Sequence, residues 1–266
     1  MHTITKKLLK FPELGIIKQE IDQYLKDERV KRNEFYNKIT EKDKAEFING
    51  EIIMHSPVKG RHNYACANLV TLLKNHITLY SLGFLGFEHL MTEFTRNSYE
   101  PDICFFGPEK ATKFHGDQVI FPVPDFIVEV LSKKTEHRDR KVKYNDYASH
   151  GVREYWIISP KMKTVEQYIC ENGQYKLLGT FSGKDKITCD VIAGFEIEAL
   201  IIFDEEAFRE YIVKDKVQIV HLNKEIVQTK KIIEDKEKII EDKDKLIEDK
   251  DKTIKMLEIE LAKLKK

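Results

Sequence analysis

Residues 124–132 read PDFIVEVLS, and the pattern of this stretch decides the architecture. Phe126, Ile127, Val128, Val130 and Leu131 make a nearly continuous apolar run, which predicts a strand buried on both faces at the centre of a sheet. Glu129 interrupts the run. A carboxylate in an otherwise apolar strand is costly to bury unpaired, so such acids persist where a metal or a basic side chain meets them. Side chains alternate along a strand, and Asp125, Ile127, Glu129, Leu131 and Lys133 therefore share one face.

A second Pro-Asp pair, Pro101-Asp102, opens the short apolar strand Ile103–Phe106. Pairing of that strand beside the central one would bring Asp102 to Glu129, a hard, oxygen-rich pair suited to Mg²⁺ or Mn²⁺. Downstream of the central strand, Lys133, Lys134, His137, Arg138, Arg140, Lys141 and Lys143 make a local basic stretch relieved by Glu136 and Asp139. Asp139, Lys143 and Tyr147 step by four and line one face of a predicted helix over His137–Ser149, with Gly151 at its C′ position. A lysine on that face can reach back to the strand end that holds Glu129, while Lys133, on the glutamate's own strand face, is its rival. Two acids, a divalent ion and a lysine are the parts that phosphodiester hydrolysis needs.

The flanking sequence builds a mixed sheet around this centre. A helix is predicted from Ile17 to about Asn37, then a hairpin, Ala45–Ile48 and Glu51–His55, turned by Asn49-Gly50. An amphipathic helix over Arg61–Tyr80 follows, then strands near Phe84–His89 and Ile103–Phe106. After the 137–149 helix come a strand at Arg153–Ser159 and a second hairpin, Val165–Cys170 with Gln174–Thr180. A strand and a short helix within Phe195–Tyr211 close the domain. The fold class expected is α/β of the α+β or three-layer kind. Tyr155, Trp156 and the group Phe84, Phe87, Phe105 and Phe106 are expected in the core, and His62 is expected as a capping or surface residue at a helix start.

The order of PD at 101–102, PDFIVEVLS at 124–132, D-x-x-x-K-x-x-x-Y at 139–147 and GVREYWIISP at 151–160 resembles the Uma-type putative restriction endonuclease family, within the PD-(D/E)XK nucleases. AEFINGEIIMHSPV at 45–58 with His62 and VIAGFEIEALIIF at 191–203 fit its two ends, so the resemblance spans about residues 20–210. It implies a restriction endonuclease-like core and a Mg²⁺- or Mn²⁺-dependent endonuclease acting on DNA. Asp102 and Glu129 match the paired metal-binding acids, and the backbone carbonyl of Val130 is the further ligand the family implies. The superfamily lysine falls two residues after the glutamate, where Leu131 stands here. The family's migrated lysine on the next helix corresponds to Lys143. Glu46 matches a recurrent family acid that assists the metal, and Asp125 sits at the strand entrance, where the family varies.

Composition sets the frame. The 266 residues carry 45 basic and 45 acidic side chains, so the whole chain is no polycation. Lys224–Lys266 repeats one heptad (KIIEDKE, KIIEDKD, KLIEDKD), with Ile226, Ile233, Ile240, Ile247, Ile254 and Leu261 seven apart and no Gly or Pro, which predicts one long helix. Self-association of this helix into a coiled coil, and so a homodimer, is expected, although Lys236, Lys243 and Lys250 stand where a second apolar row would complete the seam. The expected organisation is an N-terminal extension over 1–16, the nuclease-like domain over 17–215 and the charged helix over 216–266. No apolar run is long enough to span a bilayer and no secretory leader is evident, so no membrane partner is expected. Cys66, Cys104, Cys170 and Cys189 have no paired spacing and read as reduced thiols of a cytoplasmic protein. Three functions fit these features: a metal-dependent nuclease, a nuclease fold that only binds nucleic acid or a partner, or a scaffold built around the terminal helix. The intact Asp102, Glu129 and Lys143 favour the first.

Overall fold

The computed structural model describes residues 3–40 and 42–264, with the side chains at 3–4, 215–216, 218–223, 242, 249 and 258–264 outside the described set. The chain divides into two compact units, residues 1–208 and 209–266.

In the first unit, helices α1 (Thr3–Leu8) and α2 (Leu14–Lys38) precede a hairpin of β1 (Ala45–Ile48) and β2 (Glu51–Met54). Asn49 and Gly50 both take positive φ, 51° and 85°, as a two-residue primed turn requires. Then follow α3 (Gly60–Tyr80), β3 (Phe84–Phe87), β4 (Met91–Glu93), β5 (Ser98–Tyr99), β6 (Ile103–Phe106), α4 (Pro108–Ala111) and β7 (Ile120–Phe121). The central strand β8 (Phe126–Val130) leads through α5 (Glu136–Arg138), a π-helical turn (Asp139–Lys143) and α6 (Tyr144–Ser149) to β9 (Glu154–Ser159). Gly151 at φ 77° ends that helical segment, as expected of a left-handed C′ residue. The remainder is β10 (Thr164–Glu171), β11 (Gln174–Ser182), β12 (Lys186–Thr188), β13 (Glu196–Glu198), α7 (Leu200–Phe203) and the start of α8 (Glu205–Leu264).

Six strands form the main sheet in the order β11-β10-β9-β8-β6-β3, and five form a second in the order β2-β1-β5-β4-β7. Only the β8–β9 pair of the main sheet is parallel, and parallel strands need a crossover, which α5, the π turn and α6 supply. All five residues of β8 are buried, as its apolar run predicts. One apolar cluster joins Ile127, Tyr155 and Ile157 of the main sheet to Tyr147 of α6 and to Ile48 and Tyr99 of the second sheet. Helix α3 lies against β3 and β8 and carries α7.

The short strands β4, β5, β7 and β12 are absent from the sequence reading, since two or three residues leave no measurable alternation. The expected single helix over 137–149 carries a π turn instead of a regular α-helix. Tyr155 and Trp156 are fully buried, and so are Phe105 and Phe106, whereas Phe87 is 43 % exposed and does not belong to the core.

The second unit is the rest of α8. Among its described side chains Ile232, Ile233, Ile239, Ile240, Leu246 and Ile247 are all at least half exposed. No helix of the described residues is long and apolar enough to cross a membrane.

Candidate active site

The ladder between β6 and β8 pairs Ile103 with Val128, and one further step sets Asp102 opposite Glu129. The backbone N–H of Val130 donates to Asp102 Oδ2 at 2.9 Å, fixing the carboxylate at the strand mouth. Two further elements reach the same aspartate. His62, in the first turn of α3, places Nε2 3.3 Å from Oδ2, and Lys44, just before β1, places Nζ 3.6 Å from Oδ1. His62 is therefore buried against the site and is neither a cap nor a surface residue, which corrects the sequence reading.

Lys143 is the centre of the second half. Its side chain is 2 % exposed, and its ammonium lies 2.7 Å from Glu46 Oε1, 2.9 Å from Glu129 Oε1 and 3.6 Å from Asp139 Oδ1. The ring of Tyr99 covers it, with the centroid 5.7 Å from Nζ. Tyr147, one step of four along the same face, donates its hydroxyl to Glu129 Oε1 at 2.8 Å. The spacing Asp139, Lys143, Tyr147 thus becomes one inward-facing row, and the π turn lies between its first two members. Glu46 enters from the hairpin of the other sheet, fully buried, with His55 Nε2 3.1 Å from its second oxygen.

The electrostatics divide the acids. Burial pushes Asp102 upward, but the hydrogen bond and charge of His62, the Lys44 charge and the Val130 N–H outweigh it and hold Asp102 at about 2. Burial also opposes ionisation of Glu46, and there Lys143 and His55 prevail and keep it below the ordinary carboxylate range. Glu129 goes the other way. Its burial, with Asp139, Asp102 and Glu46 nearby, lifts it well above the ordinary value despite Lys143. Glu100, next to Glu46, is raised to about 7 by burial and by that neighbour's charge.

Of the residues singled out from sequence, Asp102, Glu129, Lys143, Glu46 and Val130 come together here. Lys133 is exposed, and Asp125 is engaged elsewhere, accepting from Lys110 Nζ at 2.9 Å and from the Gly107 N–H at 2.8 Å. The basic stretch is less free than its composition implied. Arg140 forks onto Glu166 at 2.7 and 2.8 Å and Lys143 is buried, which leaves Lys133, Lys134, His137 and Lys141 exposed. Sequence reasoning assigned no role in the site to Lys44, His55, Asp139, Glu100 and Tyr147. The four-residue step could have added Asp139 and Tyr147, but nothing local marks the others.

A divalent ion fits the chemistry of this donor set. The carboxylates are hard oxygen donors, and Asp139 Oδ1 and Glu100 Oε2 are buried without a hydrogen-bond partner among the described residues. Among the described residues no three His, Cys, Asp or Glu side chains are gathered as a ready-made ion cage, and Glu46, Glu129 and Asp139 instead converge on the Lys143 ammonium.

A family model described as Uma2, putative restriction endonuclease, matches residues 32–200. Among solved structures, the chain is similar to a putative nuclease belonging to DUF820 from Anabaena variabilis, with a TM-score of 0.56 and 19 % identity over 64 % of this chain and 96 % of that one. At that identity the likeness is one of fold. Among curated proteins no match is found.

Proposed function

The chain belongs to the Uma2 putative restriction endonuclease family, and from that premise we propose a divalent-metal-dependent endonuclease that hydrolyses phosphodiester bonds of DNA. The observation that carries this reading is the meeting of Asp102 and Glu129 at the mouth of two paired strands, with a buried lysine on the glutamate. Asp102, Glu129 and the Val130 carbonyl would hold Mg²⁺ or Mn²⁺. The carbonyl assignment is supported by strand geometry, because a residue's N–H and C=O leave an extended strand on the same side, and the Val130 N–H faces Asp102. Such an ion supplies charge neutralisation for the scissile phosphate and acidifies water for attack.

The chain's own residues do the remainder. Val130 N–H, His62 and Lys44 fix Asp102 in its ionised form, ready to bind a cation. Tyr147 holds Glu129 through its hydroxyl. Lys143 stabilises the charge that develops on the phosphate oxygens, and Glu46 assists by orienting the lysine. The exposed Lys133, Lys134 and Lys141 lie on the segment that follows β8 and supply positive charge for the DNA backbone. We assign residues 17–215 to the nuclease domain, 1–16 to an extension and 216–266 to a helix that joins two copies. Four free thiols support a reducing cytoplasmic setting.

Plasmid nicking with Mg²⁺ or Mn²⁺ tests the reading. Asp102→Ala and Glu129→Ala are each expected to lower the rate by at least about a hundredfold. Nicking by both variants at the wild-type rate, or DNA binding by the wild type with no cleavage, would overturn it.

A further inference from the structure

Three acids from three separate elements meet on one ammonium: Glu46 of β1, Glu129 of β8 and Asp139 of the π turn. The oxygen of Glu129 that Lys143 holds, Oε1, belongs to the same carboxylate that the proposed ion needs. An ammonium and a divalent cation a few ångströms apart in a buried pocket repel strongly, and both seek the same carboxylate. Two cations cannot share Glu129 on equal terms.

The surroundings allow one of them to withdraw. Lys143 retains Glu46, its shorter contact at 2.7 Å, together with Asp139 and the face of Tyr99. Glu129 keeps its place through the Tyr147 hydroxyl. Asp102 is held by Val130, His62 and Lys44, and no contact to Lys143 is among its partners. Loss of the Lys143–Glu129 contact therefore dismantles nothing else.

We propose that a divalent ion enters this site by displacing the Lys143 ammonium from Glu129 onto Glu46 and Asp139, so that Lys143 sets the ion affinity. The inference rests on the metal-site reading above and adds a competition to it. Lys143 is the tethered counter-ion of the ion-free site and remains beside the ion afterwards, where charge on the substrate develops. Glu46 is then a positioning residue acting through the lysine. Binding linkage is reciprocal, so ion binding weakens the Lys143–Glu129 pair by the factor with which that pair weakens ion binding.

The experiment is Mn²⁺ binding to the full chain, by calorimetry, with thermal melting in chelator and in Mn²⁺ as a second readout. Lys143→Met and Lys143→Gln are expected to bind Mn²⁺ at least about fivefold more tightly than wild type, the lower end of ordinary coupling between sites. Both are expected to melt lower in chelator and to recover in Mn²⁺, because the ion takes over the missing charge. Glu46→Gln is expected to weaken Mn²⁺ binding in the wild-type background and to have no effect beside Lys143→Met. Equal or weaker Mn²⁺ binding by both lysine variants overturns the proposal, as does failure of both to fold at any Mn²⁺ concentration. Glu129→Gln separates the two levels. If it abolishes Mn²⁺ binding while the lysine variants bind as wild type does, the site stands and the competition falls. If binding survives Glu129→Gln and Asp102→Asn, the site itself falls.

Discussion

Glu129 illustrates what a single acid costs in a central strand. Its carboxyl is lifted well above the ordinary range by burial, and the acids around it add to the effect. Two donors, Lys143 and Tyr147, share one of its oxygens and keep it tolerable there. Tyr147 is fully buried, so Tyr147→Phe deletes one hydroxyl with little change of volume. The substitution is expected to cost about 1–2 kcal/mol of unfolding free energy, the range for a buried hydrogen bond to an acid. Urea denaturation reads this as a lower midpoint at an unchanged slope. A loss below about 0.3 kcal/mol would mean that Lys143 alone satisfies the oxygen. Glu129 was legible in the sequence because its burial contradicts its charge. Lys44 and His55 were not, because a basic residue beside a hairpin looks like any exposed residue until a second sheet is laid over it.

At the scale of elements, the segment from Glu136 to Ser149 has to present Asp139, Lys143 and Tyr147 inward while bridging two parallel strands. Its outer side is fastened to β10 by Arg140, which forks onto Glu166, with Tyr168 donating to the same carboxylate. The Arg140 hydrogen bonds hold Glu166 below the ordinary carboxylate range, against a smaller upward push from burial, with Tyr168 adding to the lowering. The folded value lies below the unfolded one, so this pair's stabilisation is fully present above about pH 4.5 and is lost as pH falls through the folded value. Glu166→Gln is therefore expected to cost about 1 kcal/mol at pH 7, limited by solvent screening, and progressively less below about pH 4. Urea midpoints of the two proteins across pH check the sign: a gap that widens in acid would refute it. The long elements here were readable, since the hairpin turns, the apolar run of 126–131 and Gly151 each carry their own local chemistry. The π turn was not. A four-residue step looks the same in sequence whether the backbone between its members is α or π.

At the scale of the molecule, the terminal helix presents an apolar stripe that no described contact covers. Successive residues of a helix are about 100° apart, which places Lys236 between Ile232 and Ile233 on the stripe, with Asp235 and Glu237 just outside it on either side. Lys243 sits in the same way between Ile239 and Ile240, and Lys250 between Leu246 and Ile247. A row of lysines along the seam weakens a coiled coil, and in a self-paired helix bordering acids such as Asp235 and Glu237 would give the ammonium groups partners. The acidic borders also disfavour an anionic lipid surface as the stripe's neighbour. Self-association through this helix is therefore expected to be modest and to weaken with added salt, as exposed charge pairs do. Replacing Lys236, Lys243 and Lys250 together by leucine removes the desolvation cost and completes the second apolar row. Sedimentation equilibrium of the full chain is expected to show a dimer for the triple variant at least about tenfold tighter than wild type and nearly independent of salt. Wild-type and triple-variant chains that both remain monomeric would show that the helix does not pair with its own copy. The heptad would then serve some other neighbour.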